Sequence, residues 1–105
     1  GKDANADALQ KLSLFELITI SEEIPMAEVN KSVIADGSNI TDILTTTGLL
    51  PSKSEARKAI QNNAVSVNKI KITSHEHQIR PTDLLHDKFI MIENGKKNKY
   101  MFVIR

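Results

Sequence analysis

Lys53, Arg57 and Gln61 recur every four residues, with Ser54 and Lys58 beside them and Ser52 just ahead. At about 100° per residue, this spacing gathers the charged and hydrogen-bonding groups on one side of a helix. Such a surface suits a nucleic-acid backbone. Lysine and arginine neutralise phosphates, while serine and glutamine donate hydrogen bonds to phosphate or 2′-hydroxyl oxygens. The start of the helix adds free amides and a partial positive charge near Ser52–Ser54. Ala56, Ala59 and Ile60 fall on the other side, a small-residue face that permits close packing. Further basic groups follow at Asn68-Lys69, at Lys71, and at Lys96, Lys97 and Lys99.

A basic stripe also serves simply as a solvated helix face, so the distribution of charge along the chain matters. The 105 residues carry a net charge of only +1. Residues 1–50 hold three lysines against eight acids, a net of −5, and residues 51–105 hold eleven basic groups against five acids, a net of +6. A chain divided this way points its second half at a polyanion.

Other chemistries find little support. There is no cysteine, which removes disulfides, thiolate nucleophiles and the usual zinc sites together. His75-x-His77 has the spacing for two metal ligands, but no dense acid cluster accompanies it, and a solvated loop is the simpler reading. The four glycines are isolated and none heads a phosphate-binding loop. Phe15, Phe89, Tyr100 and Phe102 are the only aromatics, which argues against a sheet that stacks bases on exposed rings. No apolar run approaches the roughly 20 residues that span a bilayer, and no apolar signal segment follows Gly1, so a cytoplasmic location without membrane contact is expected. The length fits one domain.

The elements that must position these groups can be read from caps and breakers. Residues 1–12 are polar and aperiodic, an expected linker or flexible end. Residues 13–38 read as a helical and extended lead-in. Ser13-x-x-Glu16 has capping-box spacing, and Pro25 should end the helix it opens. Met26–Val29 reads as extended, and Asn30–Gly37 as a turn or brief helix. From residue 39 to 105 the pattern is that of a compact α+β unit. Asn39 caps a helix closed by Gly48, and Ser52-x-x-Glu55 opens the basic helix. Asn62-Asn63 then supplies a left-handed exit. Val65 and Val67, and Ile70 and Ile72 beyond the Asn68-Lys69 turn, read as paired strands. Thr82-Asp83 could start a helical turn. Asn94-Gly95 joins two β-rich runs in a tight hairpin.

The run N-I-T-D-I-L…G-L-L-P-S-K-S-E-A-R-K-A-I-Q-N-N-A-V-S-V-N-K resembles the alpha-L RNA-binding motif. That family's hallmark is a helix pair, S-[KR]-x-x-A-[RK]-x-x-I, and a glycine-rich step into V-x-V-N-[GK]. Ser52, Lys53, Ala56, Arg57, Ile60, Val65, Val67 and Asn68 stand at the matching positions. The upstream L-F-E-L-I…E-E-I-P-M-A-E-V and the closing F-I-M-I-E-N-G-K-K-N-K-Y-M-F-V-I-R resemble one branch in particular, the C-terminal domains of bacterial tyrosyl-tRNA synthetases. The resemblance runs from about Leu9 to Arg105. Asn62-Asn63-Ala64 departs from it where glycine is usual, and Lys69 where N-G is frequent.

The resemblance implies a small α+β fold: a helix pair on a short, mostly antiparallel sheet, with an N-terminal helical extension and a C-terminal hairpin. It implies an RNA-binding appendage that holds tRNA(Tyr) by its anticodon and variable arms. Ser52, Lys53, Ser54, Arg57, Lys58, Gln61, Asn68, Lys69, Lys71, Lys96, Lys97 and Lys99 are the expected contacts, with helix and V-S-V-N turn facing one RNA groove. The parent enzyme would use ATP with magnesium and form a homodimer, with its catalytic domain beside this one. The nucleotide-binding motifs of that reaction are absent here, so no catalytic residue, metal or cofactor, and no DNA partner, is expected. Two alternatives stay open: a stand-alone ribosomal-RNA binder of the same fold, or a protein-docking module using the acidic half.

Overall fold

The structure, a computed structural model, describes residues 2–105. Where the sequence suggests a linker, helix α1 (Lys2–Gln10) forms instead, burying Ala6 and Leu9; Gly1 lies outside the described residues. Ala6, Leu9 and Leu12 are spaced by three residues, so a polar segment still carries one apolar edge that packing can use.

The predicted caps are present. Ser13 opens α2 (Leu14–Ser21): its hydroxyl accepts from the Glu16 amide at 3.1 Å, and the Glu16 carboxylate accepts from the Ser13 amide at 2.9 Å. Past Pro25, β1 (Met26–Val29) is followed by the single turn of α3 (Lys31–Ile34). A two-residue strand β2 (Ser38–Asn39) leads into α4 (Ile40–Thr46), where the Asn39 side chain accepts from the Thr41 and Asp42 amides. Gly48, at φ +81°, lets the chain reverse after it. Ser52 caps α5 (Lys53–Gln61) by accepting from the Glu55 amide at 3.1 Å. Only this half of the expected capping box forms, because the Glu55 carboxylate turns toward Lys58, 3.8 Å away.

Asn63 leaves α5 at φ 57°, the left-handed exit expected of the asparagine pair. Strands β3 (Val65–Val67) and β4 (Ile70–Lys71) are joined by Asn68 and Lys69 at φ 50° and 70°. Both central residues are left-handed, as a two-residue hairpin turn of this hand requires, so lysine takes the place usually given to glycine. Strand β5 (Gln78–Ile79) pairs with β2, and a single 3₁₀ turn covers Pro81–Asp83. The chain closes with β6 (Phe89–Asn94) and β7 (Asn98–Ile104). Their loop has one residue more than a two-residue turn, since Asn94 pairs with Asn98 across Gly95, Lys96 and Lys97.

The main sheet runs β1-β7-β6-β3-β4, antiparallel except for the parallel pair β1–β7. Side chains alternate between its faces. One face presents Val65, Val67, Ile90, Ile92, Phe102 and Ile104 to Ile40, Ile43, Leu44, Ala56 and Ile60 of α4 and α5. The other presents Phe89, Met91, Met101 and Val103 to Leu9 and Leu17 of α1 and α2. This sheet lies between two helical layers, and α5 lies on one side only.

Asn68 ties the short hairpin to the rest. Its Oδ1 accepts from the Met91 amide at 2.9 Å, and its Nδ2 donates to the Asp83 carbonyl at 2.6 Å. Asn68→Ala orphans both partners and leaves alanine in a left-handed conformation. We expect a loss of about 2–4 kcal/mol, read by denaturant unfolding. A loss under about 0.5 kcal/mol, the range of ordinary surface substitutions, would show that the hairpin needs no such tie.

Candidate nucleic-acid interface

Helix α5 buries Ala56 and Ile60 and leaves Lys53, Ser54, Arg57, Lys58 and Gln61 exposed; Ser52 is half-buried at its cap. The predicted stripe is therefore a solvent face, and the predicted packing face is a packing face. Two of its cations have acidic neighbours. Lys53 Nζ lies 3.0 Å from Asp42 of α4, and Lys58 Nζ lies 3.8 Å from Glu55. These pairs are open to water, with Lys53 58% and Asp42 50% exposed. Such exposed pairs contribute about 0–1 kcal/mol, so a phosphate could replace the carboxylate at little cost.

The β6–β7 loop joins this surface. Gly95 donates its amide to the Ala64 carbonyl at 2.8 Å, which fastens the loop beside the exit of α5. Gly95 also takes φ +76° there, a conformation that glycine adopts without the strain a side chain would bring. Lys96 and Lys97, both exposed, are thereby set next to the end of the helix that carries Lys58 and Gln61. Chain segments more than thirty residues apart in sequence are thus held side by side through this backbone bond.

The remaining predicted contacts lie elsewhere. Lys71 pairs across the sheet with Ser66, Ser66 with Glu93, and Glu93 with Lys99. Directly paired residues share a face. That face is the one holding Met91 and Met101, so Lys71 and Lys99 point to the α1–α2 side, away from α5. Lys69 reaches the same row, with its Nζ 3.2 Å from Glu93. The expectation that helix and V-S-V-N turn face a single groove is therefore corrected: the sheet separates them. Asn68 is corrected too. It is 4% exposed and both ends of its carboxamide bond inside the fold, so it holds the turn and does not face RNA.

The carbonyls of His75 and His77 accept from the Asn39 side chain and the Ile40 amide, at 3.1 and 2.9 Å. Their segment thus braces the start of α4. Among the described residues, no group of three or more His, Cys, Asp or Glu is placed to hold a metal ion. None of the described helices is long and apolar enough to cross a membrane.

Sequence reasoning missed an open groove of about 400 Å³ between α1, the end of α2 and the sheet. It is lined by Leu9, Leu12, Ile20, Ile24 and Met91, with Lys69 and Lys99 at its edge. The three-residue spacing of Ala6, Leu9 and Leu12 was the available signal.

Residues 16–103 match the family model described as the tyrosine–tRNA ligase SYY-like C-terminal domain. The tyrosine–tRNA ligase of Cytophaga hutchinsonii is 39% identical over 96% of this chain, and that of Bacteroides fragilis 33% identical over 98%. In each case the match takes in 24% of the relative, so this chain spans about a quarter of those proteins. The solution structure of a tyrosyl-tRNA synthetase C-terminal domain has the same fold. It gives a TM-score of 0.68 at 23% identity, covering 92% of this chain and 94% of that one.

Proposed function

The chain belongs to the tyrosine–tRNA ligase SYY-like C-terminal domain family, and on that premise we propose that it is the tRNA-holding appendage of such a ligase. In this reading the exposed face of α5 and the Lys96-Lys97 loop grip the phosphate backbone of tRNA(Tyr), at its anticodon and variable arms. The chemistry of joining tyrosine to tRNA, with ATP and magnesium, belongs to the catalytic part of the ligase. The observation that carries the proposal is the bond from Gly95 to Ala64, which holds the basic hairpin loop beside the exit of the basic helix.

Arg57 is the natural centre of this surface. It projects from the middle of the stripe between Lys53 and Gln61, and its planar guanidinium can address two phosphate oxygens at once. Ser52 and Ser54 flank the start of α5, where free amides favour an anion. Lys58 adds to the same field on the helix, and Lys96 and Lys97 extend it beyond. No base-reading group is required for such contacts, so they position RNA without specifying its sequence.

A titration with tyrosine-specific tRNA at several salt concentrations tests the reading, with bulk tRNA as control. Contact with roughly four to six phosphates should give a slope of log affinity against log salt of about −3 to −5. Binding that ignored salt, or that persisted equally with no RNA backbone present, would overturn it.

A further inference from the structure

The groove between α1, α2 and the sheet lies on the face opposite α5, and the backbone-binding surface makes no use of it. Its volume of about 400 Å³ lies within the usual range for a small-ligand site, about 300–1,000 Å³. Its floor is apolar: Leu9 and Met91 are buried, and Leu12, Ile20 and Ile24 are half-buried around them. Its edge is basic. Lys69 and Lys99 line it, Lys71 stands in the same cross-strand row, and Glu93 is the single carboxylate of that row. Glu93 engages Lys69 at 3.2 Å, while Lys99 stays exposed. Asn5 supplies a carboxamide at the mouth.

An apolar floor under a net positive edge is complementary to a flat, weakly polar body that carries an adjacent anion. We infer that the groove receives one unpaired nucleotide of the bound RNA, with its base against the Leu9–Met91 floor and its phosphate at Lys69 and Lys99. The inference rests on the RNA-binding reading of α5 and adds to it. Continuity favours a nucleotide over other anions with apolar bodies. Lys99 stands two residues beyond Lys97 of the basic loop, within about 7 Å of extended chain. A backbone held at Lys96 and Lys97 can therefore pass around the hairpin tip from the α5 side to this face. The open mouth leaves the polar edge of the base toward water and Asn5, which avoids the cost of burying it without partners.

Two RNA hairpins of identical stem test this, one fully paired and one with a single bulged nucleotide, observed by methyl and amide NMR of the chain. Both should shift amides of α5. Only the bulged hairpin should shift the methyls of Leu12, Ile20, Ile24 and Met91. Ala8→Trp, at an exposed position lining the groove, fills it without replacing a buried side chain. It should weaken the bulged hairpin on the order of tenfold, toward the paired one, since the base then loses the apolar floor that would cover it. Groove methyls that respond to neither hairpin, or equally to both, while α5 shifts, overturn the groove inference alone. If neither hairpin moves α5, the RNA-binding reading fails and the groove inference fails with it.

Discussion

Reversing charge at Lys53, Arg57 and Lys58 together is expected to reduce tRNA affinity roughly a hundredfold while leaving the fold in place. Each substitution to glutamate removes one exposed attraction and adds one repulsion, each about 0.5 kcal/mol. The total is about 3 kcal/mol, a little over two decades in Kd. The slope of log affinity against log salt should become shallower by about 2–3, at 0.7–0.9 per phosphate contact. The fold should tolerate the change because all three side chains are exposed and none enters either core. Asp42 and Glu55 lose partners that contributed about 0–1 kcal/mol each, so the melting temperature should fall by only a few degrees. The same reversal at Lys31, Lys88 and Arg105 supplies a control with equal change in net charge. These groups lie by β1 and the start of β6, away from α5. If the two triple variants lost affinity equally, the net charge would be acting and α5 would have no special part.

The division of labour between the two sheet faces also bounds what local sequence could reveal. Caps are local, and they were legible: Ser13, Asn39 and Ser52 each bond an amide two or three residues away, within one turn of chain. The left-handed Asn63 and the hairpin at Gly95 were legible for the same reason. The parallel pairing of β1 with β7 was not, because Met26 meets Met101 across seventy-four residues of intervening chain. No short-range pattern specifies that contact. Helix α1 was hidden by composition, since its polar residues outnumber the apolar ones that pack. The basic residues were all visible as types, yet their grouping was not. Lys71 and Lys99 share a face through the register Ser66–Lys71 and Glu93–Lys99, and the covering of the other face by α5 is a tertiary fact. Asn68 shows the same limit most sharply. A polar residue in a basic turn suggested a contact for RNA, and only the positions of Met91 and Asp83 reveal an inward bond.

Ala56→Arg is expected to do the opposite of the charge reversal and disrupt the fold, though it adds a positive charge to a helix proposed to bind RNA. Ala56 is 0% exposed and belongs to the core shared by α4, α5 and the sheet. Overpacking a closed core costs about 1–3 kcal/mol, and a guanidinium taken from water without a partner costs several kcal/mol more. A sum of at least about 4 kcal/mol compares with a total stability of about 5–15 kcal/mol for a domain of this size. At about 4–8 °C per kcal/mol, the melting temperature should drop by at least 15–30 °C, or the transition should lose its cooperativity. Arg57→Ala, one residue along and fully on the outer face, should move it within the few degrees of a surface substitution, about 0.5 kcal/mol. Adjacent positions with effects so unequal follow only from the helical register that places Ala56 inward and Arg57 outward. Equal effects at the two positions would mean that α5 packs in another register. The same register sets which cations reach the RNA, so a thermal melt of two variants decides the orientation of the proposed binding face before any RNA is added.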